Sequence, residues 1–305
     1  MSIRFLTRSN IDLRKWDDCV LRSPYGQVFF MSWYLDACCP GWSAMIERDY
    51  ECVFPLAGNS KLGISYLYQP YFTRHFGMIG DGAFDPEKGQ NFLDAIPERF
   101  KFIDICLHGQ YQSAAGYSTS TKTYQTLNLN NKEINAGYSD NLKRMLRKAN
   151  QAGLQLVQGV APEHIVESFR LHQTRVRDQF SKIDYDRLIS LMHAAKLNAE
   201  IQSVCVQDNN GTSLAGAFFI GFKSTLLYLK GYSTEAGRKT GAMHFLFDGI
   251  IQSNRSRYSS MDFGGSSVET VARFYRHFGS TDSLYLRIRS NRLPKALRWL
   301  KKEQS

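Results

Sequence analysis

The chain has 305 residues, of which 43% are hydrophobic and 22% charged, and carries a formal net charge of +10. These proportions are those of a globular protein and exclude disorder, while the longest apolar runs are strand length, far short of the roughly 20 residues that span a bilayer. The start Met1-Ser-Ile-Arg-Phe lacks the apolar core of a signal peptide, so a cytoplasmic location is expected, and the basic balance favours an anionic partner.

In chain order, residues 3–5 begin an edge strand, and residues 11–21 carry apolar side chains at helical spacing up to Ser23-Pro24. Residues 28–38 read as a second helix, with Ser32 a candidate N-cap, stopped by Pro40-Gly41. Short strands follow at 42–46, 51–56 and 64–68. The aromatic and basic loop Gln69 to Gly77 offers Tyr71 and Arg74 as acceptor-side residues, the alternative being ring filler beneath a long loop. A helix over 87–96 and strands at 102–107 and 124–129 complete an α/β half, and the polar stretch 130–137 sets expected domains at 1–135 and 136–305.

The helix expected over 141–153 has Ser139 or Asp140 to cap it and Gly153 to close it. Leu142, Met145, Leu146 and Ala149 share one face. Lys143, Arg144, Arg147 and Lys148 crowd the others and repel one another unless an anion sits nearby. A strand at 154–157, helices at 162–176 and 185–195, and a strand at 201–206 lead to the turn Asp208-Asn-Asn-Gly211. Leu214 to Phe222 is almost wholly apolar, as in a strand buried on both faces, and pairs with 226–233 as a hairpin. Residues 234–242 then read as a glycine-rich turn before a helix over 243–251. Free N–H groups at that helix start, with Arg238 and Lys239, suit a phosphate. A strand ending at Met261-Asp-Phe-Gly-Gly265, a short helix over 271–278, a last strand at 283–289 and a basic amphipathic helix over 294–302 finish the chain.

The cysteines at 19, 38, 39, 52, 106 and 205 show no C-x-x-C spacing and read as reduced core thiols. No metal is expected, because the histidines show no ligand spacing, and the absence of a G-x-S-x-G elbow removes the usual hydrolase reading.

The basic helix ending at Gly153, the 214–233 hairpin, Arg238-Lys-Thr-Gly-Ala242, Met261-Asp-Phe-Gly-Gly265 and Phe274-Tyr-Arg-His-Phe-Gly279 together resemble the GNAT acyltransferases. More specifically, the chain is similar to the FemABX-like group, relatives of the peptidoglycan-bridge aminoacyltransferases. The resemblance implies an α/β (α+β) fold of two tandem GNAT-like domains, each a mixed, mostly antiparallel sheet flanked by helices. It implies transfer of an acyl or aminoacyl group from acyl-CoA or aminoacyl-tRNA to an amine on a small molecule or cell-wall precursor, with tRNA as a partner in the second case.

On that resemblance Arg238, Lys239, Thr240, Gly241 and Ala242 form the donor-binding loop. Met243 stands where the GNAT loop has a small residue, and Tyr275 where Fem-like relatives often have lysine. Acyl transfer needs a deprotonated amine, a stabilised oxyanion and a protonated leaving group. Asp262 is the candidate to orient or deprotonate the acceptor, unless it caps the next turn, and Tyr275 and His277 are candidates for proton transfer, unless they pack the short helix. Tyr232 joins Tyr71 and Arg74 on the substrate side, and His244 reads as packing. The alternative is a non-catalytic module binding an anionic polymer, RNA or a nucleotide-linked glycan, in a basic groove on the same fold.

Overall fold

The computed structural model describes residues 2–109, 111, 116–131, 133–172, 180–265 and 268–293. The helix expected over 294–302 and the end of that expected over 162–176 lie outside them. The chain divides into two compact units, residues 1–122 with 284–305, and residues 123–283. The boundary expected at residue 135 falls inside the second unit, where Thr126 already pairs with Asp262.

The first unit contains β1 (Ile3–Thr7), α1 (Leu13–Arg22), α2 (Ser32–Cys38), β2 (Ser43–Glu47), β3 (Cys52–Leu56), β4 (Gly58–Lys61), β5 (Ile64–Tyr68), β6 (Ile79–Gly80), α3 (Pro86–Asp94) and β7 (Phe100–Leu107). Asp12 caps α1 by accepting from the N–H groups of Arg14 and Lys15, and the helix buries Trp16, Cys19 and Val20. Trp16 packs on Trp42 at 4.7 Å and donates to Phe30 O at 2.7 Å. The helix expected over 28–38 is instead a 3-10 turn followed by α2. Met31 between them is extended, with ψ 141°, and Asp17 takes both Ser32 N at 2.7 Å and Ser32 Oγ at 2.6 Å, fixing a fresh helix start. One sheet runs β1-β2-β3-β6 with antiparallel neighbours, and β5 lies parallel to β7 beside the short β4.

A buried aromatic knot closes this unit. His108 stacks on Tyr25 at 5.8 Å and meets Phe30, His75 and Phe84 at 5.6, 5.6 and 5.7 Å. Neither His108 ring nitrogen has a hydrogen-bond partner among the described residues. Burial, outweighing a backbone contact at Met78, lowers its pKa to about 4.

The second unit begins within β8 (Ser118–Asn128) and continues through α4 (Asp140–Gln151), β9 (Gln155–Gln158), α5 (Pro162–His172), α6 (Lys182–Asn198), β10 (Glu200–Gln207), β11 (Ser213–Phe222), β12 (Thr225–Ser233), α7 (Glu235–Thr240), α8 (Ala242–Asn254), β13 (Ser260–Gly265) and α9 (Glu269–Arg276). Its strands run in the order β8-β13-β12-β11-β10-β9, antiparallel except for the parallel pair β12/β13. β11 is buried from Leu214 to Gly221, as its unbroken apolar sequence requires. The last strand, β14 (Thr281–Asn291), pairs with β7 and sets Ile288 opposite Ile105. The observed fold is thus mixed α/β with mostly antiparallel sheets.

Candidate functional site

The chemistry-bearing residues of the second unit gather where β12 leaves β13. Among the described residues these strands pair only from Thr225 opposite Ser260 to Leu227 opposite Asp262. Beyond Leu227 the described ladder partners of β12 lie in β11. The β11 register also slips there: Phe219 faces Tyr228 and Phe218 faces Lys230, so Leu229 bulges out. Strand alternation would put Tyr228 and Lys230 on one face. The bulge sends Tyr228 towards Phe219 and Phe247, at 5.5 and 5.0 Å, and Lys230 to the opposite face, against Phe169.

Past β12, residues 234–242 differ from the expected turn, because α7 forms there. Thr234 Oγ1 accepts from Gly237 N at 2.9 Å, and Glu235 pairs with Lys239 at 2.8 Å. Gly241, at φ +81°, ends α7 and starts α8, and a Cβ on it would meet Met145 O of α4 at 2.9 Å. Only glycine satisfies both the left-handed backbone and that approach. No described backbone oxygen accepts from the N–H groups of Ala242, Met243 and His244, and no side chain caps this helix. The side chain of Met243 packs against the core.

The loop cations are placed as follows. Arg238 donates to Ser233 O at 2.6 Å, Lys239 holds its exposed pair with Glu235, and Thr240 Oγ1 bonds back to Ala236 O at 2.9 Å. Lys143, Arg144, Arg147 and Lys148 of α4 are exposed around the Met145 contact, with Arg144 donating to Asn141 Oδ1 at 2.7 Å.

The structure brings Asp262 and Tyr275 together with Tyr228. The Tyr275 ring stacks on Phe263 at 4.7 Å and meets Tyr228 at 6.4 Å. Burial first, then the neighbouring Tyr228 and Asp262, push its pKa well above the usual tyrosine value, so the phenol stays protonated. Asp262 is 6% exposed and accepts from Gly264 N at 2.8 Å, shaping the turn at the end of β13. Tyr228 shifts upward for the same reason of burial.

Other sequence candidates lie apart from this cluster. His277 Nδ1 is 2.8 Å from Ser139 Oγ, the N-cap of α4, and its Nε2 is 3.3 Å from Asn141 Nδ2. Both nitrogens therefore tie α9 to the start of α4. His244 packs edge-on to Phe274 at 4.8 Å, and burial, with His277 nearby, lowers its pKa to about 4. Tyr232 is buried on the α5 side, its Oη bonded to Ser213 Oγ at 2.8 Å and His164 Nε2 at 3.1 Å. In the first unit, Tyr71 is 47% exposed, whereas Arg74 is buried, donating to Gln27 Oε1 at 2.9 Å with its guanidinium 5.2 Å from the Phe29 ring. No cluster of metal-ligating side chains occurs among the described residues, and none of their helices is long and apolar enough to cross a membrane.

Sequence reasoning missed Tyr228 and Lys230. The available signal was a lysine inside the apolar strand Leu226-Leu-Tyr-Leu-Lys-Gly-Tyr, but only the bulge reveals which face it takes.

No family model matches the sequence, and no curated protein matches it. Solved structures share its fold. The crystal structure of FemX superposes with a TM-score of 0.69 at 14% identity over 99% of this chain and 100% of that one. A tandem GNAT protein from the clavulanic acid biosynthesis pathway, solved without acetyl-CoA, gives 0.57 at 12% identity over 96% and 100% of the two chains. L-PGS from Bacillus licheniformis gives 0.52 at 12% identity over 85% and 87%. The chain therefore has the FemX-like, tandem GNAT fold.

Proposed function

We propose that the chain is an N-acyltransferase or aminoacyltransferase whose second unit takes an activated donor, acyl-CoA or aminoacyl-tRNA, and passes its acyl group to an amine. The observation that carries this reading is the parting of β12 from β13 beside the Leu229 bulge, next to a helix start with unsatisfied N–H groups. The fold shared with FemX and with a GNAT protein solved without acetyl-CoA supports the same donor chemistry.

The residues fit a phosphorylated donor. The N–H groups of Ala242, Met243 and His244 suit a phosphate, Gly241 carries no Cβ, and the Met243 side chain is occupied with the core. Arg238, Lys239 and Thr240 flank that start, and the exposed cations of α4 suit either pyrophosphate or the backbone of tRNA. Bound there, the donor supplies a carbonyl carbon activated as a thioester or ester. The backbone at Leu229, unmatched by β11, is the group assigned to its carbonyl oxygen. Tyr275, kept protonated by burial, is assigned to donate towards the leaving group, and Asp262 to orient the acceptor amine. His277 acts through α4 by holding its first turn.

Calorimetric titration with acetyl-CoA, longer acyl-CoAs and aminoacyl-tRNA tests this. Binding of at least one is expected, and heat from none of them removes the donor site. Replacing both Arg238 and Lys239 by alanine should weaken donor binding by about tenfold, the cost of roughly one charge-assisted contact. Thermal stability should barely move, since the Lys239 pair is fully on the surface. Unchanged affinity would take these cations out of the site.

The exposed cations of α4, with Met243 and Tyr275 at the positions noted above, favour a second reading, a non-catalytic module for RNA or a nucleotide-linked glycan. Steep weakening of RNA binding with salt, with neither thiol release from any acyl-CoA nor loss of the aminoacyl group from charged tRNA to an amine, would select it.

A further inference from the structure

We propose that Lys230 receives a carboxylate of the acceptor, so that the amine acylated at this site belongs to an amino acid or to a peptide with a free carboxylate. The proposal rests on the acyl-transfer reading and names its substrate class.

Lys230 sits past the last residue of β12 paired with β13, and the Leu229 bulge turns it away from the aromatic core under α8. Its Nζ lies 4.7 Å from the centre of the Phe169 ring and 5.4 Å from that of Phe180. These rings offset part of the cost of covering a cation, on the order of 1 kcal/mol each. No described carboxylate completes the task. On α5, Glu163 is held by His193 and Glu167 by Arg170, both on the exposed side. The other titratable neighbours on this face are Tyr185, packed on both rings, Tyr232, whose hydroxyl is bonded to Ser213 and His164, and the two α5 histidines themselves, His164 and His172, the latter stacked on the Tyr232 ring at 6.2 Å. Burial alone lowers the Lys230 pKa to about 8. An amine in that state gains most from a ligand that brings the missing negative charge.

The geometry favours a carboxylate over a phosphate and the acceptor over the donor. A phosphate dianion calls for several donors, whereas Lys230 is a single point charge and the adjacent hydroxyl of Tyr232 is already bonded. The helix start suited to the donor belongs to α8, which packs on the Tyr228 face of the sheet, while Lys230 lies on the α5 face.

The test is modification of the whole protein by limiting acetic anhydride at pH 7.5, read at Lys230 and at the exposed Lys143 by peptide mass spectrometry. Both dipeptide amines also consume anhydride, so labelling is read as the Lys230-to-Lys143 ratio, which glycylglycine in excess should lower about fivefold, as expected at about four times its dissociation constant. Glycylglycinamide, which lacks the carboxylate, should leave that ratio unchanged. Protection by the amide equal to that by the acid, protection by coenzyme A alone, or no protection by glycylglycine each overturns the proposal. A second readout uses the thiol-release assay with glycylglycine as acceptor: Lys230→Met should raise KM at least tenfold with kcat little changed, and Lys230→Arg should recover part of the loss. Equal KM in all three proteins also overturns it. If the wild type neither releases thiol from an acyl-CoA nor moves the aminoacyl group of a charged tRNA to glycylglycine, the acyl-transfer reading fails, while the labelling result still decides whether Lys230 meets a carboxylate.

Discussion

At pH 5 the first unit is expected to unfold at a lower urea concentration than at pH 7, by about 2 kcal/mol of stability for His108 alone. The sign follows from the direction of the shift. His108 titrates near 6.5 in the unfolded chain and at about 4 in the folded protein. Between those values the unfolded chain takes up a proton that the folded one refuses, so stability present above pH 6.5 is lost as pH falls towards 4. His75, pushed down by burial, by Arg74 and by His108, acts in the same sense. Asp17, raised by burial, acts oppositely but only towards the carboxylate range. Trp16 and Trp42 are buried in this unit, so tryptophan fluorescence follows it. His108→Phe should keep or raise stability at pH 7, since no hydrogen bond to the ring nitrogens is lost, and should shrink the difference between pH 5 and 7. An unchanged pH difference in that variant would mean that the ring takes up protons freely in the folded state.

Gly241→Ala is expected to cost about 3 kcal/mol and to abolish donor binding. Two terms add. A non-glycine residue at positive φ costs roughly 1–2 kcal/mol, and a Cβ at 2.9 Å from Met145 O forces α4 and the α7–α8 junction apart, at roughly 1–3 kcal/mol. Gly211→Ala separates them, because Gly211 has φ +77° with nothing within 4 Å of the added carbon. It should cost only the backbone term, about 1 kcal/mol, and leave acetyl-CoA binding intact. Urea unfolding followed by circular dichroism and calorimetry on both variants checks the contrast. Equal losses in stability, or retained donor binding in Gly241→Ala, would mean that the α8 start can shift without consequence.

Much of the fold was legible in local pattern. The apolar run Leu214 to Gly221, the Ser139 cap of α4 and the Asp208 to Gly211 turn appear as expected, because each is dictated by residues adjacent in sequence. The break at Met31 was legible only in part: Ser32 reads as a candidate cap, but the structure starts the helix at Ser32 because Asp17, fifteen residues away, captures it. The helix α7 was not legible. Arg238-Lys-Thr-Gly reads as a turn until Thr234 and the Glu235–Lys239 pair are seen to sustain six helical residues. The site divides along the same line. Gly241 could be singled out from its neighbours alone, whereas the facing of Lys230 depends on a one-residue slip between β11 and β12 that no periodicity displays. His277 illustrates the converse: a histidine with a chemical reading in sequence has both nitrogens committed to holding two helices together.

Backbone amide shifts of isotope-labelled protein titrated with acetyl-CoA test the donor site most directly. We expect saturable shifts concentrated at Gly241, Ala242, Met243 and His244 and along Tyr228 to Lys230, with the first unit little changed. Shifts confined to the first unit, or none at saturating acetyl-CoA and aminoacyl-tRNA, would contradict a donor site at the parting of β12 and β13.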